Sequence, residues 1–183
     1  EKSTWLPVDL EPALCGENPE PRPSLLTRSD DAPLIYKGKI TSIAAEPEAG
    51  KTKLIAHAAA EVIGARKKVV WLDFETSANE TVTGLLELGS DPEDIRRYFT
   101  YILPDAALDE SVWVQIEPAI AAAELVVIDG VTEVFTLHGF NPSDPVDTAK
   151  YQSMLTKRIR ALGPAVIEID HVVKNRESRG NWQ

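Results

Sequence analysis

Five short, mostly apolar runs recur along this chain, each separated from the next by a stretch of helical composition, and that alternation leaves few folds open. The runs are Lys39–Ala45 (KITSIAA), Val69–Phe74 (VVWLDF), Phe99–Leu103, Leu125–Asp129 (LVVID) and Ala165–Asp170 (AVIEID). A strand with one wet face alternates apolar and polar residues. A strand apolar along its length is covered on both faces, which is the situation in a parallel sheet flanked by helices. The intervening stretches Lys51–Ile63, Glu80–Leu88, Pro92–Tyr98, Glu110–Ala123 and Pro145–Leu162 supply those helices. The last is the best marked: Asp144 can cap it, Met154, Leu155, Ile159 and Leu162 form a stripe, and Gly163-Pro164 stops it. The predicted class is therefore α/β, a doubly wound and mostly parallel sheet covered by helices on both faces. An apolar share of 43%, with four each of Trp, Tyr and Phe, is enough to fill such a core and excludes global disorder.

The first 33 residues read differently. Six prolines (Pro7, Pro12, Pro19, Pro21, Pro23 and Pro33) fall there, each removing a backbone donor and restricting the residue before it. Residues 1–33 are expected to be an irregular, proline-rich arm or linker ahead of a domain spanning 34–183. Trp5, Leu6, Leu25 and Leu26 are its candidate anchors, either on its own domain or on a neighbouring subunit. With 19 basic against 29 acidic residues the formal charge is −10, which argues against coating nucleic acid or anionic membrane with the whole surface. A small basic site remains open. A single cysteine, Cys15, excludes a disulfide framework and fits a reducing, cytoplasmic setting. The longest apolar stretch, Ala119–Ile128, is too short to span a bilayer and contains Glu124, and the start lacks a basic-then-apolar leader. A first residue Glu1 and a single methionine, Met154, mark the chain as a piece of a longer product.

The junction between the first strand and first helix carries the strongest chemical signal: Ala45-Glu46-Pro47-Glu48-Ala49-Gly50-Lys51-Thr52. It fits the phosphate-loop pattern G-x-x-x-x-G-K-[ST] except that alanine stands at the first glycine position. Such a loop, Glu46 to Gly50 with Pro47 contributing no N–H, surrounds nucleotide phosphates with its backbone N–H groups and with a helix N-terminus. Lys51 would neutralise the β- and γ-phosphates, and the Thr52 hydroxyl would ligate Mg²⁺. Alanine is acceptable at position 45 if its φ is negative, and Glu48 must point away from the phosphates.

Three further strand ends complete the pattern. Leu125–Asp129 is an apolar strand closing on a carboxylate, so Asp129 would lie in the crevice at the C-terminal edge and hold Mg²⁺; the plainer reading is a cap for the next helix. The second strand ends Asp73-Phe74-Glu75. Strand alternation puts both carboxylates on one side, and Glu75, nearer the edge, is the preferred general base for a water attacking the γ-phosphate. The alternative is that both are solvated or pair with Lys67 or Lys68. After the fifth strand comes Asp170-His171-Val172-Val173-Lys174-Asn175-Arg176-Glu177-Ser178-Arg179-Gly180. There His171 could sense the γ-phosphate, and Lys174, Arg176 or Arg179 could reach a neighbour's nucleotide or nucleic-acid phosphates; a solvated basic loop is the plain alternative.

Together the stretches AEPEAGKT, VVWLDFE, LVVIDGVTE and LGPAVIEIDHVVKNRESRG, covering about Leu34 to Gly180, resemble the RecA-like P-loop ATPases. More narrowly, they look like the RepA and replicative-helicase type common in actinobacteria and their phages. The resemblance implies ATP and Mg²⁺ as ligands, with Lys51 and Thr52 in the Walker A roles, Asp129 in the Walker B role, Glu75 as base, His171 as sensor and Arg179 as the leading finger supplied in trans. It also implies a homo-oligomer, commonly a hexameric ring, acting on single-stranded DNA in replication, and further strands beyond Gln183. Competing readings are an ATP-dependent regulatory switch, a non-catalytic nucleotide-binding scaffold and, more weakly, a small-molecule kinase.

Overall fold

The computed structural model describes residues 7–16, 22–46 and 48–171, with His171 described in its backbone only. The expected α/β class holds. Five parallel strands, β3 (Ile40–Ala45), β4 (Val69–Asp73), β5 (Phe99–Ile102), β6 (Leu125–Asp129) and β7 (Ala165–His171), form one sheet in the order β3-β7-β6-β4-β5. Alternate residues of the central strands face opposite layers, as the pleat requires. Val69, Trp71, Leu125, Val127, Ile167 and Ile169 pack against α2 (Lys51–Gly64), α3 (Ala78–Glu87) and α4 (Pro92–Tyr98). Val70, Leu72, Val126, Ile128 and Val166 pack against α5 (Glu110–Ala121), α6 (Val131–Leu137), α7 (Pro145–Tyr151) and α8 (Lys157–Ala161).

Local chemistry sets the helix starts. Ser77, Asp91, Asp109 and Asp144 each accept a backbone N–H from the first turn of α3, α4, α5 and α7, and Pro92 and Pro145 open two of those helices, where a missing donor costs nothing.

Three elements depart from expectation. Residues 23–36, expected in part as irregular arm, form a hairpin: β1 (Pro23–Thr27) lies antiparallel to β2 (Pro33–Tyr36). Pro23 and Pro33 each take the first position of a strand, where the lost N–H is least costly. An irregularity in register between Pro23 and Leu25 accompanies a left-handed Leu26 (φ 57°), so the consecutive Leu25 and Leu26 are both buried. Burying each contributes roughly 1.5–3 kcal/mol. Glu61 of α2 anchors the hairpin by accepting from Thr27 N (3.0 Å) and Oγ1 (2.9 Å). A short helix, α1 (Glu11–Leu14), precedes it, and Trp5 and Leu6 lie outside the described residues. The second is α6, which is not among the expected helices: its VTEVFTL sequence is rich in β-branched residues that disfavour a helix, and burial of Val134 and Phe135 overrides that preference. The third is the long terminal helix, which is interrupted: α7 runs through a π-helical turn at Gln152–Thr156 before α8.

Candidate functional site

Parallel strands carry their C-terminal ends to one edge, and here the register makes them level. Asp73 stands opposite Asp129, Asp129 opposite Ile169, and Ala45 opposite His171. The loop after β3, the end of β6 and the turn after β4 therefore lie along one edge, with β3 and β6 separated by β7 alone, about 10 Å at normal strand spacing.

The loop after β3 leads into α2 through a left-handed glycine. Ala45 is the last residue of β3, and its φ lies outside the left-handed region, which meets the condition for alanine at that position. Glu46 and Glu48 are exposed and Ala49 N donates to Glu46 O at 3.3 Å. Pro47 lies outside the described residues. Gly50 adopts φ 84°, ψ 16° at the N-cap of α2; a side chain there would meet no neighbour, so the backbone angle alone requires glycine. Lys51 follows as the first helical residue. Its side chain is buried, and Nζ donates to the carbonyls of Ala45 (2.8 Å) and Glu46 (3.1 Å), which folds the ammonium back into the loop. Thr52, half-buried, forms one wall of a groove of about 450 Å³ between α2 and α3 that also touches Thr76 and Trp71.

The two carboxylates of the second strand are separated sharply. Asp73 is fully buried and accepts from Glu75 N (3.0 Å), Thr76 N (2.8 Å), Thr76 Oγ1 (2.5 Å), Thr81 Oγ1 (3.3 Å) and Tyr101 OH (2.8 Å). Burial would raise its pKa, but the hydrogen bonds from Thr76, Glu75 and Tyr101 outweigh it and hold the carboxyl below its ordinary value of 3.8. Burial and that same bond push the Tyr101 hydroxyl far above its ordinary 10.0. Asp73 is thus the knot that ties the turn, with no access to a substrate water. Glu75, at the tip of that turn, is exposed.

The turn leans on the end of β6. Phe74 N donates to Asp129 O at 2.9 Å, and Gly130 takes φ 98°, ψ 61°. A Cβ on Gly130 would stand 2.8 Å from Glu75 Cγ and 2.9 Å from Glu133 Oε2, so both the angle and the space exclude a side chain. Glu75, Asp129 and Glu133 consequently meet around a glycine. Asp129 is buried, and Thr132 Oγ1 donates to Asp170 Oδ1 (2.8 Å), tying the start of α6 to the end of β7. Among the described residues no cluster of three or more His, Cys, Asp or Glu side chains could by itself cage a metal. Hard oxygen donors from Thr52 and Asp129 suit Mg²⁺, which binds through few protein ligands together with phosphates and water.

Of the residues singled out in the sequence, Lys51, Thr52, Asp129 and Glu75 fall along this edge. The backbone of His171 ends β7 beside Ala45; its side chain, and Lys174, Arg176 and Arg179, lie outside the described residues. Sequence reasoning missed Glu133 and Tyr101. Glu133 had a signal, being three residues beyond the glycine that follows Asp129; Tyr101 had none, because its partner is 28 residues earlier.

The Asp73 knot sets an acid limit on stability. Its native pKa is depressed, so its contribution is present above the unfolded value and is lost as pH falls below about 3.8 toward the native one. Asp73→Asn should lower unfolding stability by about 2–3 kcal/mol at neutral pH. It should also flatten the pH dependence below pH ~4, read by chemical denaturation at pH 3 to 7. The Tyr101 contribution has the opposite sense and declines as pH rises above 10.0.

A family model described as AAA domain matches residues 9–177, which is 169 of the 183 residues. No curated protein matches the chain.

Proposed function

The chain belongs to this AAA-domain family of P-loop ATPases, and from that premise we propose that it binds Mg²⁺-ATP and hydrolyses it to drive a nucleic-acid process such as helicase-type translocation in replication. The observation that carries the reading is the shared edge: a buried Lys51 inside a glycine-containing loop, with a buried Asp129 and an exposed Glu75 on the neighbouring strand ends. Lys51 and the N–H groups of the loop residues Glu46, Glu48, Ala49 and Gly50 would bind the phosphates around Pro47, which has no N–H, and Thr52 and Asp129 would hold Mg²⁺. The metal, when bound, neutralises phosphate charge.

Glu75 would orient a water and take its proton as the water oxygen bonds to the γ-phosphorus and the bond to the ADP oxygen breaks. Asp73 cannot share this role because its oxygens are committed to five donors. His171 is proposed as the γ-phosphate sensor and Arg179, ahead of Lys174 and Arg176, as a finger acting on a neighbouring subunit's nucleotide, within a homo-oligomer that is hexameric by resemblance. Single-stranded DNA is the proposed track and the cytoplasm the proposed location. Among the described residues no helix is long and apolar enough to cross a membrane.

The test is ATP turnover with and without single-stranded DNA. Turnover that rises several-fold on adding an oligonucleotide supports a motor. Turnover indifferent to nucleic acid would leave an ATP-dependent switch as the better description.

A further inference from the structure

The opposite edge of the sheet has a different electrical character. The residues directly preceding the five parallel strands are 37–39, 65–68, 96–98, 122–124 and 162–164. They include seven cations (Lys37, Lys39, Arg66, Lys67, Lys68, Arg96 and Arg97) and one anion, Glu124, for a local charge of 7 − 1 = +6 on a chain whose total is −10. All seven cations are exposed. Glu124 is itself held between two of them, 2.6 Å from Lys37 Nζ and 3.0 Å from Lys67 Nζ, and its side chain is only 14% exposed. That carboxylate is thereby masked from solvent by lysines that are half exposed, and Arg96 is itself paired with the exposed Glu93 in α4. Arg160 joins the same edge, since Gly163 N donates to its carbonyl and Gly38 packs on Gly163.

We propose that this N-terminal edge of the sheet is a binding surface for the sugar-phosphate backbone of a single-stranded nucleic acid. Two features favour that partner over an acidic protein surface. The cations precede β3 on one side of the sheet and β4 and β5 on the other, with Glu124 bridged between Lys37 and Lys67 across the gap, so at about 4.8 Å between strands the row spans roughly 19 Å. That matches about five or six nucleotides at ~3.4 Å each. The row is also flanked by Tyr36, 40% exposed and directly before Lys37, a ring on which a base can stack. Carboxylates occupy the other edge (Asp73, Glu75, Asp129, Asp170), so the nucleic acid is taken at the end away from the nucleotide site. The identity of the polyanion rests on the nucleic-acid reading above; the cationic edge does not.

The probe is a fluorescent 20-nucleotide oligo-dT, titrated with the chain by anisotropy from 50 to 200 mM salt, without nucleotide. The native chain should bind with a strongly salt-dependent affinity. A triple variant Lys39→Gln, Arg66→Asn, Lys68→Gln removes three cations outside the Glu124 ion pairs, and Asn suits the left-handed angle at position 66 (φ 58°). It should bind at least about tenfold more weakly at 50 mM salt, with a log–log salt slope shallower by about 2, from three contacts at ~0.7 each. Tyr36→Leu should weaken binding several-fold and leave the slope unchanged. Should the triple variant lose its thermal transition, Lys68→Glu alone reads the same charge.

No binding by the native chain, an unchanged slope in the variant, or duplex DNA bound as tightly as oligo-dT would overturn the proposal. The outcomes also separate it from the motor reading. Binding lost in the variant while turnover ignores DNA sinks the motor and keeps the surface. DNA-stimulated turnover that the triple variant retains in full, with native oligo-dT affinity, does the reverse.

Discussion

Lys51→Ala is expected to lower ATP affinity by about two orders of magnitude and to reduce turnover to background. The buried ammonium rests on two carbonyl oxygens of its own loop at 2.8 and 3.1 Å. It therefore already sits where anionic oxygens would compete for it, and charge-assisted bonds to phosphate exceed those to neutral carbonyls. Losing one such interaction costs about 1.5–3 kcal/mol, which is tenfold to more than a hundredfold in affinity. Isothermal titration with Mg²⁺-ATP gives the binding term and a coupled assay gives the turnover. Alanine is well tolerated in a first helical turn, so the thermal midpoint should move by only a few degrees. Native affinity in a folded Lys51→Ala chain would remove the phosphate role from this loop.

Glu75→Gln should separate binding from chemistry. Glutamine keeps the shape and polarity of the side chain but cannot accept a proton, so kcat should fall about 10²–10⁴-fold, the usual contribution of a positioned base, while ATP affinity stays near the native value. Glu75 is exposed, so the substitution should leave the thermal midpoint near the native value. Single-turnover hydrolysis beside equilibrium binding distinguishes the two quantities. Native kcat in Glu75→Gln would shift the base to another group, with Glu133, which shares the Gly130 corner, next in line.

Much of this layout was legible in the chain before any coordinates. Apolar runs such as LVVID and the Gly50-Lys51-Thr52 helix start are local signals, and a parallel sheet brings its strand ends to one edge whatever the intervening detail. What escaped depended on distance or on competing preferences. Only position along the strand favoured Glu75 over Asp73, because nothing nearby in sequence reports Tyr101 or Thr81 closing over Asp73. The hairpin was obscured by Pro23 and Pro33, whose first-strand positions become tolerable only once Leu25, Leu26 and Ile35 have a core to enter. Helix α6 was not expected because its four β-branched residues give little helical signal until Val134 and Phe135 are buried. The π-helical turn at Gln152–Thr156 shifts helix register by a single residue, too little for an apolar stripe to betray, and Tyr151 OH donates to Glu168 (2.7 Å) just before it.

The five hydrogen bonds gathered on Asp73 also have a kinetic meaning. A glutamate at the tip of a free four-residue turn would sample many backbone states, and each reaction would have to wait for, and restrict, the productive one. Two of the five donors are the backbone N–H groups of Glu75 and Thr76 themselves, so that search is completed once, during folding. The disorder is removed before substrate arrives, leaving only the Glu75 side-chain rotamers to settle in each turnover.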